Sequence, residues 1–422
     1  MSNHLGIQKA QDSFQNINKD LGTSKDPRQG TFFIRNQKID NVTANNLYST
    51  NWLASNIVDI PADETIKKWR ELNIEDESKL TAFENEEKRL NVKGNFAQAL
   101  KWADVFGGAV IIMIIEGQDL KDPLLNIPKG SLKRLITLDR WEITANPLTA
   151  NILDDNFGKP QSYIHSESGQ TIHHSRILKF NGNTPTIREM RENNYWGLSI
   201  YEKLLPAITD SMTSSDLING LLYESNIDVY KLKGLNDLVG DGQDDLATKR
   251  IQLAHQLKST INGIALDSED GYEKKFATFA GLADIDTMFL QKVSAARKIP
   301  ITKLLGTSAK GLNATGEGDL KNYYDEIAGI QEREYNPHLD TLDRVMSMSL
   351  FGSEIEVPYE FKDLNQLTEK EQADLEVQRS VRDNTYLING VIDADIALKE
   401  LNSNKTYGDI TEYIENDSVV DE

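Results

Sequence analysis

Between positions 47 and 60 the apolar residues Leu47, Trp52, Leu53, Ile57 and Ile60 recur at helical spacing, which predicts a helix that Pro61 ends or restarts. The same period runs through 62–72 and 78–106. The second stretch closes on Phe106-Gly107-Gly108, a glycine stop, and the unbroken apolar run Val110–Ile115 then predicts a buried strand. From 132 to 180 the pattern shortens to LKRLITLD, SYIHSE and ILKF, with Ser168-Gly169 as a turn between the last two: a small β-rich lobe.

After Gly197 the helical period returns. Leu204, Leu205, Ile208, Met212, Leu217, Ile218, Leu221 and Leu222 mark one long helix, and Ser199 and Glu202 have capping-box spacing. Pro206 either kinks this helix or occupies its first position. An insert follows: a strand at 228–233, a loop at 234–242, a helix at 244–260 and a short strand at 261–266. A further helix at 283–298 closes it. The segment GTSAKGLNATGEG at 306–318 holds four glycines in thirteen positions, a density at which no regular element survives. A long helix is expected over 319–350, with Leu320, Tyr323, Tyr324, Ile327, Leu339, Leu342 and Met346 on its apolar side and a kink at Pro337. Thr368 and Glu371 repeat the capping-box spacing at the head of a helical tail that runs to about 402. Residues 1–45 are polar and read as a loose arm.

Composition narrows the picture. A chain of 422 residues exceeds one ordinary core, and 39% hydrophobic with 27% charged residues is a globular profile. With no cysteine, disulfides, thiolate metal sites and cysteine nucleophiles are excluded. Basic residues number 46 against 66 acidic, a net charge of −20, which speaks against a broad basic grip on nucleic acid. The charge is uneven, however: residues 351–422 hold 18 acidic and 6 basic groups, net −12, which leaves −8 for everything before them. The longest apolar run, VFGGAVIIMII, has eleven residues against the roughly 20 a membrane span requires. No signal-peptide core is seen at the start, so a soluble cytoplasmic chain without a membrane partner is expected.

The search for chemistry is mostly negative. His4, His165, His173, His174, His255 and His338 form no His-Glu-x-x-His pair. His173-x-Ser175 is half of a two-histidine phosphodiesterase site, and its second half is missing. Gly306 and Gly311 have phosphate-loop spacing, but Leu312-Asn313 stands where Lys-Ser/Thr is needed. Gly316-x-Gly318 lacks the third glycine of a dinucleotide fingerprint. No catalytic residue, cofactor or metal is expected. Long helices, a glycine loop, a clasped insert and an acidic tail suit an assembly component.

The order of segments resembles the portal proteins of tailed bacteriophages. The residues that carry the resemblance are NWLASNIVDIPADE at 51–64, FGGAVIIMI at 106–114, HHSRILKFNG at 173–182, WGLSIYEKLLPAI at 196–208 and ARKIPITKLLGTSAKGLNATGEGDLKNYYDEI at 296–327, with Gln331 and Pro337 downstream. The resemblance implies a mainly helical α+β portal fold that assembles as a ring of about twelve subunits around a DNA channel. It implies a flexible arm (1–45), a wing (46–195), a first stem helix (196–225), a clip (226–281) and a second stem helix (282–300). A tunnel loop and long kinked helix (301–367) and an acidic crown (368–422) follow. Implied channel contacts are Lys292, Arg297, Lys298, Thr307, Ser308, Lys310, Asn313 and Thr315, with Gly306, Gly311, Gly316, Gly318 and Pro337 as hinges. Implied partners are double-stranded DNA, the terminase large subunit, a head-tail connector, and the major capsid and scaffolding proteins, in a virion assembled in host cytoplasm. A phosphodiesterase centred on His173, or a scaffold without a DNA role, are the competing readings. Some members of this branch carry an anti-CBASS phosphodiesterase label.

Overall fold

The computed structural model describes residues 38–231, 248–249 and 271–403, except 147–148, 150–151, 154–156, 158, 225, 277–280, 307–316 and 365–368. The chain divides into two compact units, residues 1–360 and 361–422. The fold is α+β and mainly helical.

The first unit begins with α1 (Asn41–Thr50) and α2 (Trp52–Lys67). Asn51 separates them, its side-chain oxygen accepting from the amides of Leu53 at 2.9 Å and Ala54 at 3.1 Å. Pro61 lies inside α2, so it neither ends nor starts a helix, contrary to both sequence expectations. Residues 70–72, read as helical from their period, form the short strand β1 (Arg70–Leu72). It pairs with β10 (Tyr359–Phe361), a long-range partner that periodicity does not see. The expected helix 78–106 is two helices, α3 (Glu77–Arg89) and α4 (Val92–Phe106). They break at Asn91, which takes the left-handed conformation at φ 48°.

β2 (Gly108–Ile115) is buried along almost its whole length and is the centre of an antiparallel sheet, flanked by β3 (Leu132–Asp139) and β7 (Ile177–Asn181). A second small sheet joins β4 (Ile143–Ala145), β5 (Ser162–His165) and β6 (Thr171–His173). Trp196 and Tyr163 pack between the sheets beside Val110, Ile112, Ile143 and Ile172. Further along come α5 (Ile187–Glu192) and α6 (Ile200–Glu224), then β8 (Asn226–Lys231) paired with β9 (Gly271–Phe276). The expected strand at 261–266 and most of the expected helix at 244–260 lie outside the described residues. α7 (Leu282–Arg297), α8 (Ile301–Leu305), α9 (Glu317–Ile330) and α10 (Asn336–Phe351) complete the unit. The second unit holds α11 (Glu369–Ile388) and α12 (Ala394–Ser403). Thr368, the expected cap of the tail helix, lies outside the described residues.

Between α9 and α10, just ahead of Pro337, the helix widens into a π-turn over Gln331–Tyr335, and Pro337 occupies the first turn of α10. A proline lacks the N–H that would reach the carbonyl four residues back, and its ring crowds that carbonyl. Widening the preceding turn relieves both, and Asn336 N–H duly reaches back five residues to Gln331 O. Gln331 is held there by its amide nitrogen, which donates to Thr65 O at 2.7 Å, while the hydroxyls of Tyr335 and Thr65 meet at 2.8 Å. Tyr335 is the hub of edge-on contacts with Trp69, Phe96 and Phe180.

One buried charge closes this core. Arg70 donates to Asp343 at 2.5 and 2.6 Å and to Glu87 at 2.6 and 2.9 Å, with the Tyr359 ring 4.5 Å from its guanidinium. β1 is therefore tied to α3 and α10 through one side chain.

Four glycines meet where α4, β2, β7 and the lead-in to α6 converge. A Cβ on Gly182 would lie 2.4 Å from Ala103 O and 2.6 Å from Leu198 O, one on Gly108 would lie 2.3 Å from the Trp196 ring, and Gly197 packs directly on Gly182. Gly107 caps α4 at φ 85°. Gly182 N–H bonds to Gly107 O at 3.1 Å, and Asn183 and Leu198 exchange backbone bonds of 3.0 and 2.8 Å. Gly182→Ala should thus cost about 2–3 kcal/mol or more through forced backbone shifts. Gly318→Ala, at an open helical site, should stabilise by up to about 1 kcal/mol. Denaturant unfolding of the two variants checks both signs.

Candidate functional site

The elements that carry the sequence-predicted site residues leave the body from this glycine junction. Ser199 starts α6: its hydroxyl accepts from Tyr201 N–H at 3.2 Å. Glu202 does not complete a capping box, because its carboxylate accepts from the Ile39 amide instead. Pro206 sits in the second turn, which excludes the first-position alternative. The Tyr201 hydroxyl donates to Ala54 O at 3.0 Å and so fixes the root of α6 on α2.

α7 packs along α6. Near the root the contact buries Ser211, Ser214, Val293 and Ser294, small residues that let two helices approach closely. Farther out, Ser215 donates to Asp286 at 2.9 Å. Beyond that point the pair carries its apolar side chains in the open: Leu217 is 65% exposed, Leu221 50%, Ile285 45% and Met288 45%. Between the two helices in sequence lies the β8–β9 ladder, with Asn226 opposite Phe276 and Lys231 opposite Gly271.

The predicted cations have different fates. Arg297 is committed inside the fold, which corrects its assignment to the channel wall. Its Nε donates to Ile57 O at 3.0 Å and its Nη2 to Asp104, joining the end of α7 to α2 and α4. Burial raises the Asp104 pKa, and the Arg297 charge opposes that rise. Lys298 ends α7 in the left-handed conformation at φ 62°, and its exposed ammonium pairs with Glu326 at 3.1 Å. Lys292 is exposed on α7 with its ammonium 4.6 Å from the Phe289 ring.

Thr307, Ser308, Lys310, Gly311, Asn313, Thr315 and Gly316 lie outside the described residues. Gly306, at φ 64°, ends α8, whereas Gly318 falls within the first turn of α9 rather than in the loop. Ion pairs hold both flanks of this segment. Lys303 of α8 reaches Glu64 at 3.1 Å with the Tyr324 ring 5.3 Å away, and Glu326 of α9 takes Lys298 and, at 3.8 Å, Arg333.

The His173 half-site has a structural use. His173 caps a single 3-10 turn, its Nδ1 2.9 Å from Ser175 Oγ, while Ser175 Oγ also accepts from Leu124 N–H at 2.8 Å. Burial first, then the His174 and Arg176 charges, lower the His173 pKa. Among the described residues no group of three or more His, Asp or Glu could hold a metal. No described helix is long and apolar enough to cross a membrane.

Sequence reasoning missed two features. The glycine junction was visible only as separate glycines at segment ends. Lys179, on β7, donates to Tyr195 O at 2.7 Å with its ammonium 4.4 Å from the Trp196 ring, and nothing in its local sequence marks it as buried.

The chain belongs to the phage portal protein family, whose model matches residues 42–385. It is 28% identical over 408 residues to an uncharacterised protein of Haemophilus influenzae, covering 95% of this chain and 92% of that one. It is 32% identical to proteins named anti-CBASS protein Acb1 from Sphingomonas paeninsulae and from a Caulobacter species, covering 92% and 86% of this chain but 64% and 61% of theirs. The chain thus spans less than two thirds of the length of these two relatives. Among solved structures it is similar to a chain from the neck of a native gene transfer agent particle, with a TM-score of 0.48, 14% identity, and 84% and 91% of the two chains covered. An HK97 family phage portal protein from Corynebacterium diphtheriae aligns at a TM-score of 0.35 and 8% identity, over 77% and 95% of the chains.

Two predictions follow from the buried cations. Arg297→Met leaves Asp104 buried and unpaired, and should cost about 3 kcal/mol. Most of that loss should return in Arg297→Met/Asp104→Leu when unfolding is followed by denaturant titration. A channel-facing Arg297 would leave stability unchanged.

Burial pushes the Lys179 pKa down from 10.5 to about 8. The folded state then binds this proton more weakly than the unfolded chain, so stability falls as pH drops from 10.5 toward 8 and is flat below. Relative to Lys179→Met, the natural protein should gain at most about 2 kcal/mol between pH 7 and 9.5 in paired thermal-unfolding series.

Proposed function

We propose that the chain is one subunit of a portal ring at a capsid vertex, through which double-stranded DNA passes during packaging and ejection. The α6/α7 pair with its β8–β9 ladder is the stem and clip. Residues 46–195 are the wing, 307–316 contribute the tunnel loop, and α11 and α12 belong to the crown. A count of about twelve subunits fits the closed cyclic symmetry expected of a single repeated chain around a duplex. The terminase large subunit, the head-tail connector, and the capsid and scaffolding proteins are the partners such a ring requires.

The observation that carries this reading is the exposed apolar surface shared by α6 and α7. A two-helix projection ending in a two-stranded ladder is too thin to bury a core of its own, and side chains such as Leu217 and Ile285 stay in water unless further copies cover them. Charge agrees with a passage rather than a grip. Each phosphate contact from a fixed cation adds affinity through counterion release, and a sliding duplex needs few of them. Of the stem cations Lys292, Arg297 and Lys298, the last two already face carboxylates of their own chain. Thr307, Ser308, Lys310, Asn313 and Thr315 are the loop residues proposed to touch the duplex.

Negative-stain microscopy of the purified full chain should show rings with a central channel. A chain that remains monomeric at every concentration and salt would overturn the reading. In infected or induced cells, replacing Lys310 and Asn313 with alanine should leave rings intact but lower the yield of filled capsids. Turnover of cyclic oligonucleotides that is lost in His173→Ala would replace the ring reading with the phosphodiesterase one.

A further inference from the structure

The stem cation Lys292 sits where a DNA contact would be expected, yet its surroundings suit a different partner. On α7 it lies one helical turn from Met288 and Phe289 and two from Ile285, so it belongs to the apolar stripe. Its ammonium rests on Phe289, which keeps the butyl stem along that stripe. α6 offers Leu217 and Leu221 and, nearer the root, the exposed carboxylate Asp210. Among the described residues, neither Lys292 nor Asp210 has an ion-pair partner in its own chain. Of the other charged groups on the two helices, Arg297 holds Asp104, Lys298 holds Glu326 and Asp286 takes Ser215, while Lys203 lies nearer the root and Asp216 and Asp284 lie farther out, all three exposed.

The Ser215–Asp286 bond fixes the register of the two antiparallel helices. At about 1.5 Å of rise per residue that register puts Ile285 level with Leu217 and Lys292 level with Asp210. In a ring with its axis along the stem, every copy sits at the same height. The α7 stripe of one copy then meets the α6 stripe of the next with leucine against isoleucine and ammonium against carboxylate. The two stripes are different surfaces, as a head-to-tail contact that closes a ring requires. Together they expose on the order of a few hundred Å² of apolar area, the size that marks an interaction site rather than scattered exposure.

We infer that Lys292 is a seam residue, pairing with Asp210 of the next copy of this chain where Ile285 and Met288 of one copy cover Leu217 and Leu221 of the other. The inference rests on the ring reading and deepens it: Lys292 joins subunits and does not touch DNA.

Charge reversal in the full chain tests it. Lys292→Asp and Asp210→Lys each place like charges at every seam and should raise the concentration needed for ring formation roughly tenfold or more. Lys292→Asp/Asp210→Lys should bring it back to the natural value. Far-ultraviolet circular dichroism of each variant confirms folding.

Because the chain has no cysteine, a second measurement is available. Oxidising an equimolar mixture of Leu217→Cys and Ile285→Cys chains should give a covalent dimer more abundant than either variant gives alone. Rings that form normally with Lys292→Asp, or single defects that the double reversal does not repair, overturn the seam while leaving the ring standing. A natural protein that never forms rings overturns both.

Discussion

The position of the α6/α7 pair depends on backbone meeting backbone at the four-glycine junction. Gly182 lies against Ala103, Leu198 and Gly107 at distances that leave no room for a methyl group, and Trp196 covers Gly108. In this space the end of α4, the end of β7 and the lead-in to α6 hydrogen-bond to one another, and Arg140 and Asn193 donate to the Gly197 carbonyl beside them. The Asn183–Leu198 bridge makes the lead-in to α6 an extension of the sheet. The α6 helix therefore takes its direction from the sheet that holds β2 and β7, and a junction packed this closely leaves little room for it to pivot.

Cations reinforce the same joint from inside. Arg70 binds β1 to α3 and α10, Arg297 binds α7 to α2 and α4, and Lys179 binds β7 to the turn before α6. Each removes a positive group from the surface of a chain that already carries a net charge of −20. Arg70 takes Glu87 and Asp343 inside with it and Arg297 takes Asp104, so the surface keeps the acidic balance of the sequence while losing fixed cations that a phosphate could bind. The acidic balance and the internal use of arginine have one consequence in common: few fixed cations remain on the surface to hold a phosphate.

Much of this architecture was legible in the sequence, and the rest failed for identifiable reasons. α6, α7, β2 and β3 were read within a few residues because their apolar spacing is long and unbroken. β1 was lost because three residues between helices carry no period of their own and owe their form to Tyr359–Phe361, nearly 290 positions away. Pro61 was over-read as a break, and the widened turn ahead of Pro337 was not foreseen. Proline reliably removes one hydrogen bond, but packing decides whether the helix stops, continues as at Pro61, or widens beforehand as at Pro337. Arg297 was misassigned because a cation at a helix end looks the same in sequence whether it faces solvent or a buried aspartate such as Asp104.

The five segments that carried the family resemblance share a property no one of them shows alone. Three of them, 106–114, 173–182 and 196–208, meet at the glycine junction. A fourth, 51–64, supplies Ala54 and Ile57, whose carbonyls receive Tyr201 and Arg297, and Glu64, which receives Lys303. The fifth, 296–327, provides Arg297, Lys303 and Glu326. The resemblance thus follows the joint that fixes the root of α6 and α7. A joint built from backbone contacts and internal ion pairs sets the direction of the two helices without calling on their outer apolar side chains, which stay available at the surface.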